Sequence, residues 1–448
     1  MLFTTDKQTQ EDLNIFGKHG TDSIFSLFNR TSTLNGARIL EEMFNHPLSD
    51  AAAINKRSES IGYLREVQAI FPFSSELFDR AEQYLANTDE RSKLSAERPS
   101  LEKKLTSLVA DDTGYRQIVN GISALMEITK VLDNLLKNSL VQAGSPFKSD
   151  PETISIGTLL IAEPMSLVLQ EDSRAKLSRE KVATYDMLLR FRHRETIQRI
   201  LRYIYQLDVY MTVAKVATER NFIFPKALPK GEHVIKIESF YHPRLNHAVP
   251  NTLHVTPDNN VVFLTGANMA GKSTIMKSLG IAIYLAHMGF PVAAKKLEFS
   301  VLDGIYTTIN LPDNLGIGAS HFYAEVLRIK KMAKELGTGK DLLVIFDELF
   351  RGTNVKDAYE ATIAITSAFA LKRNSVFVIS THIIEAGEIL RERCANISFK
   401  YLPTRMKGRV PEYTYTLETG ITDDRHGMII INNEGILELL KKGKETIQ

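Results

Sequence analysis

Residues 266–273 read Gly-Ala-Asn-Met-Ala-Gly-Lys-Ser, a G-x-x-x-x-G-K-S loop, and their surroundings restrict the fold more than any other stretch of the chain. An apolar run ending at Leu264-Thr265 precedes the loop. Ile275, Met276, Leu279, Ile281 and Ile283 follow it at helical spacing. Strand, glycine-rich loop and helix, in that order, make a phosphate cradle, the P-loop. The glycines let backbone N–H groups converge on phosphate oxygens. The helix N-terminus adds a partial positive charge. Lys272 is expected to reach the β- and γ-phosphates of a nucleotide, Ser273 to ligate Mg²⁺, and Thr274 to lie near the α-phosphate. A tight glycine turn beside a solvated lysine is the plainer alternative, and the flanking strand and helix weigh against it.

A second apolar run, Leu342 to Phe346, delivers Asp347 and Glu348 at its C-terminal end, where α/β sheets bind ligands. Asp347 is expected to hold Mg²⁺ through water, and Glu348 to orient or deprotonate an attacking water. Taken alone, a solvated acidic pair would be the simpler reading. A third apolar run, Val376 to Ile379, ends in Ser380-Thr381-His382. His382 at that tip is expected to sense the γ-phosphate, although a lone histidine is more often structural. Together these residues predict an enzyme that uses ATP and Mg²⁺ and hydrolyses ATP by in-line attack of water.

A chain of 448 residues exceeds one hydrophobic core. The first half is helix-like: Ile24, Phe25, Leu27 and Phe28 precede Ala37, Ile39, Leu40 and Phe44, Pro47 stops that helix, and Asp50 can cap the next. Breaks fall at Gly144-Ser145-Pro146 to Asp150-Pro151 and at Phe224 to Gly231. After the second break, apolar strands (Val234–Ile237 among them) alternate with helical stretches, which predicts a sheet buried on both faces. The expected domains are therefore a helical 1–224 and an α/β 225–448. From Met165 to Phe224 there is neither Gly nor Pro, and Ile197, Ile200, Leu201, Ile204, Leu207 and Met211 form a helical stripe. A single helix from 178 to 222 would be roughly 65 Å long. That leaves two readings, a strut or two helices broken near a polar spot. Arg190, Arg192, Arg194, Arg199 and Arg202 on this run are either a phosphate-contacting surface or a solvated face eased by Asp186 and Glu195.

The net charge of +2 neither requires nor excludes a polyanionic partner. With Cys394 as its one cysteine, the chain can form no internal disulfide. Met1 to Asp6 has no basic or apolar leader pattern. The most apolar stretch, Gly280 to Ala294, contains His287 and Pro291 and reads as a buried helix. The chain is thus expected to be cytoplasmic and to enter no membrane.

Several motifs resemble the MutS DNA mismatch repair family. T-G-A-N-M-A-G-K-S-T (Thr265 to Thr274), with Asn268 and Met269 ahead of the second glycine, is similar to that family's P-loop. D-E-L-F-R-G-T-N (Asp347 to Asn354) resembles its D-E-x-x-R-G-T-S block, and S-T-H (Ser380 to His382) its A-T-H. D-N-L-G-I-G-A-S-H-F-Y-A-E (Asp313 to Glu325) resembles its D-D-L-x-x-G-x-S-T-F-x-x-E. Gly420 and Gly427 match a later G-x-x-x-x-S-x-G, with Arg425 in place of Ser. Near the N-terminus, Asn29 to Leu40 with His46 to Leu48 is similar to the opening of the family's core and lever domain, and Leu207 to Val209 to its closing helix.

The resemblance implies an α/β ABC-type P-loop ATPase domain preceded by an all-α core/lever domain, working as a homodimer with composite ATP sites. Gly266, Asn268, Met269, Gly271, Lys272, Ser273 and Thr274 would cradle the nucleotide. Ser320 would contact the nucleotide held by the partner; by itself it reads only as a helix N-cap. Three departures qualify the match. The family's mismatch-reading domain is expected to be missing. Leu64 to Leu207 is about half the family length, so the DNA-gripping clamp is expected to be missing too. Where the family stacks adenine on a Phe, this sequence has His247-Ala248-Val249-Pro250-Asn251, and Tyr415 stands near another family adenine contact. The expected function is a DNA-associated ATPase whose dimer closure moves helical levers without reading mismatches. The alternative is an ATP-dependent switch acting on a protein partner. Chromosome-organising ABC ATPases are disfavoured, because only about 75 residues separate Lys272 from Asp347, with no room for a long coiled coil.

Overall fold

The computed structural model describes residues 3–17, 22–94, 110–172, 177–309, 321–350, 353–407, 410–422, 436 and 439–440. Contacts divide the chain into two compact units, one formed by Met1–Leu27, Met43–Ser58 and Val216–Gln448, the other by Phe28–Glu42 and Glu59–Lys215.

The first unit is α/β. Its strands are β1 (Lys226–Leu228), β2 (Ile235–Phe240), β3 (Asn251–Val255), β4 (Val261–Gly266), β5 (Lys296–Ser300), β6 (Gly304–Thr308), β7 (Leu342–Phe346), β8 (Val376–Ser380), β9 (Ile397–Leu402), β10 (Thr404–Lys407), β11 (Val410–Tyr413) and β12 (Glu418–Thr419). The main sheet runs β12-β9-β4-β8-β7-β6. Its pairs are parallel from β9 through β6, and only β12 is antiparallel. Every residue of β4, β6, β7 and β8 is buried, as expected for continuous apolar strands covered on both faces. Phe346, Phe369 and Phe377 stack beside the sheet with centroids 5.6 and 4.6 Å apart. The apolar stretch from Gly280 lies largely in the buried helix Lys272–His287. Among the described residues no helix is long and apolar enough to cross a membrane.

A second sheet is ordered β1-β5-β2-β3. Its β1 lies inside the stretch the sequence reads as a break. Three residues are too few for a periodic signal, and pairing with β5 is what makes them a strand. Residues 1–27 and 43–58, grouped with the helical half by sequence, make their contacts in this unit. Thr4 pairs with Gly304, and the buried Tyr284 donates its hydroxyl proton to the Phe44 carbonyl, 2.5 Å away.

Among the described residues the second unit contains no strand. Ser75–Ala86 packs on Ala110–Leu135, and Pro151–Ile161 begins at Asp150, whose carboxylate caps Thr153 N at 2.8 Å. Asp208 is fully buried and accepts from Ser32 N, Thr33 N and the Thr33 hydroxyl at 2.8–3.0 Å, fixing the turn that starts the helix at Leu34. The run from 178 to 222 is broken, not a single strut. Arg179–Asp186 passes into a π-helical turn, Met187–Arg192, His193 leaves helical geometry, and Arg194–Arg220 follows.

The break has a cause that also corrects the reading of the arginines. Arg190 is 1% exposed, pairs with Asp186 at 2.7 Å, and donates to Ser92 O and Ser92 Oγ at 3.0 Å. Widening the helix by a π turn brings that guanidinium inside. Arg194 donates to Leu85 O, and Arg199 makes a two-pronged pair with Glu152. Arg202 lies 3.9 Å from Glu42. The five arginines therefore do not form one exposed phosphate-binding face.

Candidate functional site

The glycine-rich loop joins β4 to the Lys272–His287 helix, at the C-terminal end of the parallel strands. Gly271 starts the helix with φ +99°, and a Cβ there would sit 3.1 Å from the Tyr415 ring. Gly266 has φ +148°, and a Cβ there would meet Leu402 O at 3.2 Å. Both positions demand glycine. Lys272 is buried, and its ammonium donates to Gly266 O at 2.8 Å and Ala267 O at 3.2 Å. Burial lowers its pKa, while the fields of Asp347 and Glu348 oppose that shift. Asn268 and Met269 are exposed at the loop tip.

The three apolar strands bring the polar residues together as their spacing implies. Ser273 Oγ donates to Asp347 Oδ2. Asp347 Oδ1 accepts from Ser380 Oγ at 2.6 Å. Ser380 Oγ also accepts from Glu348 N at 3.2 Å, and Ser380 O accepts from Leu349 N at 3.2 Å. His382 Nε2 lies 2.9 Å from Glu348 Oε1. Glu348 holds φ +55° and Phe350 +62°, a left-handed backbone that costs roughly 1–3 kcal/mol per residue and persists only where neighbours impose it. The strand end is thus bent so that Asp347 and Glu348 face different partners. The sequence pattern alone does not show that Ser380 bonds both the Asp347 carboxylate and the Glu348 backbone N–H. Its one signal there is that Ser380 opens the Ser-Thr-His tip.

Beside the loop lies a cavity of about 300 Å³ lined in part by Tyr241, His242, His247, Gly271, Thr274 and Tyr415. Asn251, buried at its edge, donates to Tyr415 O at 2.9 Å and accepts from Leu417 N at 2.7 Å, so it fixes the Tyr415 turn. Tyr415 is brought to this place by the β10–β11 hairpin. Burial, with Lys277 and Arg244 nearby, pushes the His242 imidazole down to about 4, so the ring is neutral at pH 7. His242 had no signal of its own in the sequence. Ser320, Asp313, Arg351, Gly352, Arg425 and Gly427 lie outside the described residues.

Two family models match this chain: that of MutS domain III over residues 8–214, and that of MutS domain V over residues 262–447, which includes the loop and all three strand tips. The chain belongs to the MutS family. The DNA mismatch repair protein MutS of Petrotoga mobilis is 30% identical over 292 residues, covering 62% of this chain and 35% of that protein. The DNA mismatch repair protein MutS of Fusobacterium nucleatum subsp. nucleatum is 27% identical over 263 residues, covering 57% and 29%. The matched region spans about a third of the length of these curated relatives.

Proposed function

We propose that the chain is a MutS-type P-loop ATPase, with an ATPase half from 225, with which 1–27 and 43–58 pack, and a helical core/lever half formed by the rest of the chain to 224. One observation carries this reading. Lys272, Ser273, Asp347, Glu348 and His382 converge on a single glycine-rich loop within one α/β unit of a MutS-family chain. Gly266 to Gly271 would wrap the phosphates and Thr274 would sit at the α-phosphate. The cavity beside Tyr415 has a neutral, partly aromatic lining suited to a flat nucleobase. Ser273 and Asp347 offer hard oxygen donors close together, which fits Mg²⁺. When bound, Mg²⁺ would neutralise charge on the phosphates. Glu348 would take the proton of water, and His382 would hold Glu348 in place. The MutS relationship favours a homodimer in which Ser320 completes the partner's site, with closure moving the helical halves, and a chain that acts in the cytoplasm.

Lys272→Ala is the direct test. A charged hydrogen bond contributes about 1.5–3 kcal/mol, so ATP affinity should fall by one to two orders of magnitude. Titration with a fluorescent ATP analogue measures this. Equal affinity in the variant would place the nucleotide elsewhere.

The relatives' repair function suggests DNA as a partner. On this reading duplex DNA is held through phosphates, G·T-mismatched and matched duplexes bind alike, and affinity falls steeply with salt. Burial of Arg190 and pairing of Arg199 with Glu152 reduce the arginines available to phosphates, which favours a second reading, in which ATP drives the helical half against a protein partner. Equilibrium binding at several salt concentrations separates the two. No binding at low salt, with or without ATP, selects the protein partner, and preference for the mismatch contradicts the phosphate-only reading.

A further inference from the structure

Strand β6 ends the main sheet, and three alternate backbone donors along and just past it are taken by the N-terminal segment. Ile305 N donates to Thr4 O at 3.1 Å, Thr307 N to Thr9 Oγ1 at 3.0 Å, and Ile309 N to Asp12 Oδ2 at 2.9 Å. Asp12 Oδ2 also accepts from Thr307 Oγ1 at 2.7 Å. Edge strands need cover, and a short added strand supplies it with backbone alone. Here the cover switches after Thr4 to the side chains of the Lys7–Asp12 helix, and Asp12 reaches the end of β6 that faces the nucleotide loop's side of the sheet.

The same helix grips a second element. Asp6 caps it through Thr9 N at 3.0 Å and takes charged bonds from Arg328 and Lys331. Arg328 is buried, and its Nη2 also donates to Thr307 O at 2.7 Å. A two-pronged guanidinium–carboxylate pair away from water is directional as well as strong. Arg328 belongs to the helix His321–Gly337. Between the two held donors, Thr308 O accepts from Asp347 N at 2.9 Å.

We infer that the clasp formed by Thr4 to Asp12 is a positioning element of the ATPase site: Asp12 and the Asp6–Arg328 pair set Ile309 and the His321–Gly337 helix relative to Asp347. This rests on the ATPase reading above. Covering an edge would require only the backbone bonds, whereas positioning requires the side-chain acceptors of Asp12 and Thr9.

The test uses the full chain, with steady-state ATP hydrolysis, nucleotide titration and thermal melting measured side by side. Asp12→Ala should lower kcat about tenfold, the scale of a small misplacement at a reacting centre, and leave ATP affinity within about twofold. Asp12→Asn keeps an oxygen for Ile309 N–H and should restore most of the rate. Thr9→Val, which keeps the shape and loses the acceptor, should show the same split in milder form and serves if Asp12→Ala does not fold. An unchanged kcat in Asp12→Ala or Thr9→Val beside an active wild type would overturn the inference alone. So would a loss of kcat and affinity in step with a lowered melting temperature. A wild type without ATPase activity would overturn the functional reading, and the inference with it.

Discussion

Glu348→Gln is expected to cut ATP turnover by about 10²–10⁴-fold while leaving nucleotide affinity close to that of the wild type. The substitution preserves size and keeps an oxygen for His382, which lies 2.9 Å from Glu348 Oε1. It removes the ability to accept a proton from water, together with one negative charge. Asp347 keeps its bonds from Ser273 and Ser380, so the residues proposed to hold the metal and phosphates are untouched. The left-handed backbone at Glu348 is held by Glu348 N and Leu349 N bonding to Ser380, and it does not depend on side-chain charge. Rapid-quench turnover and equilibrium titration on the same preparation separate the two effects. Turnover within a few-fold of wild type would remove Glu348 from the role of base and point to another group near the loop.

The second large effect concerns stability. Arg190→Ala should destabilise the helical unit by about 3–5 kcal/mol, the usual result of leaving one member of a buried ion pair alone. Asp186 would keep Tyr84, whose hydroxyl donates to it at 3.0 Å, but would lose the guanidinium that balances its charge. The carbonyls of Asn87 and Ser92 would lose their donor as well. Burial, the Asp186 charge and its hydrogen bond all push the Tyr84 phenol far above its ordinary range, so Tyr84 stays a neutral donor and supplies no positive charge to replace the guanidinium. Arg192→Ala, at an exposed position on the same turn, should stay within about 0.5 kcal/mol. Thermal melting and limited proteolysis of the two variants give the contrast. A normal melt for Arg190→Ala together with weakened DNA binding would restore that residue to the DNA-contacting role its sequence position first suggested.

That arginine shows where sequence reasoning stops. Charge and spacing place Arg190 on a helix with four other arginines, but they do not say that the helix widens into a π turn and carries the side chain inward. The break in the 178–222 run was one of two options for the same reason. Periodicity is local, whereas the Asp186–Arg190–Ser92 contacts join residues nearly a hundred positions apart. The short strand β1 and the N-terminal clasp share that cause. Neither has a pattern of its own, and both exist because a partner strand offers unpaired backbone groups.

The glycine-rich loop was more legible because its pattern is written in contiguous residues. Glycines at 266 and 271 are forced by backbone angles that other residues avoid, and three continuous apolar runs form strands buried on both faces. By itself, then, the sequence determined the α/β character and the glycine-rich loop, and it singled out Lys272, Ser273, Asp347, Glu348 and His382, which lie close together at that loop. Tertiary structure alone decided that Ser380 bonds the Asp347 carboxylate and the Glu348 backbone and that His242 and Tyr415 share a cavity beside Gly271. It also decided that Asp12 and Asp6 brace the sheet edge next to Asp347. The physical reason is range: backbone propensity and apolar periodicity act over a few residues, whereas a buried hydrogen bond is satisfied by whichever distant donor the packed chain brings within 3 Å.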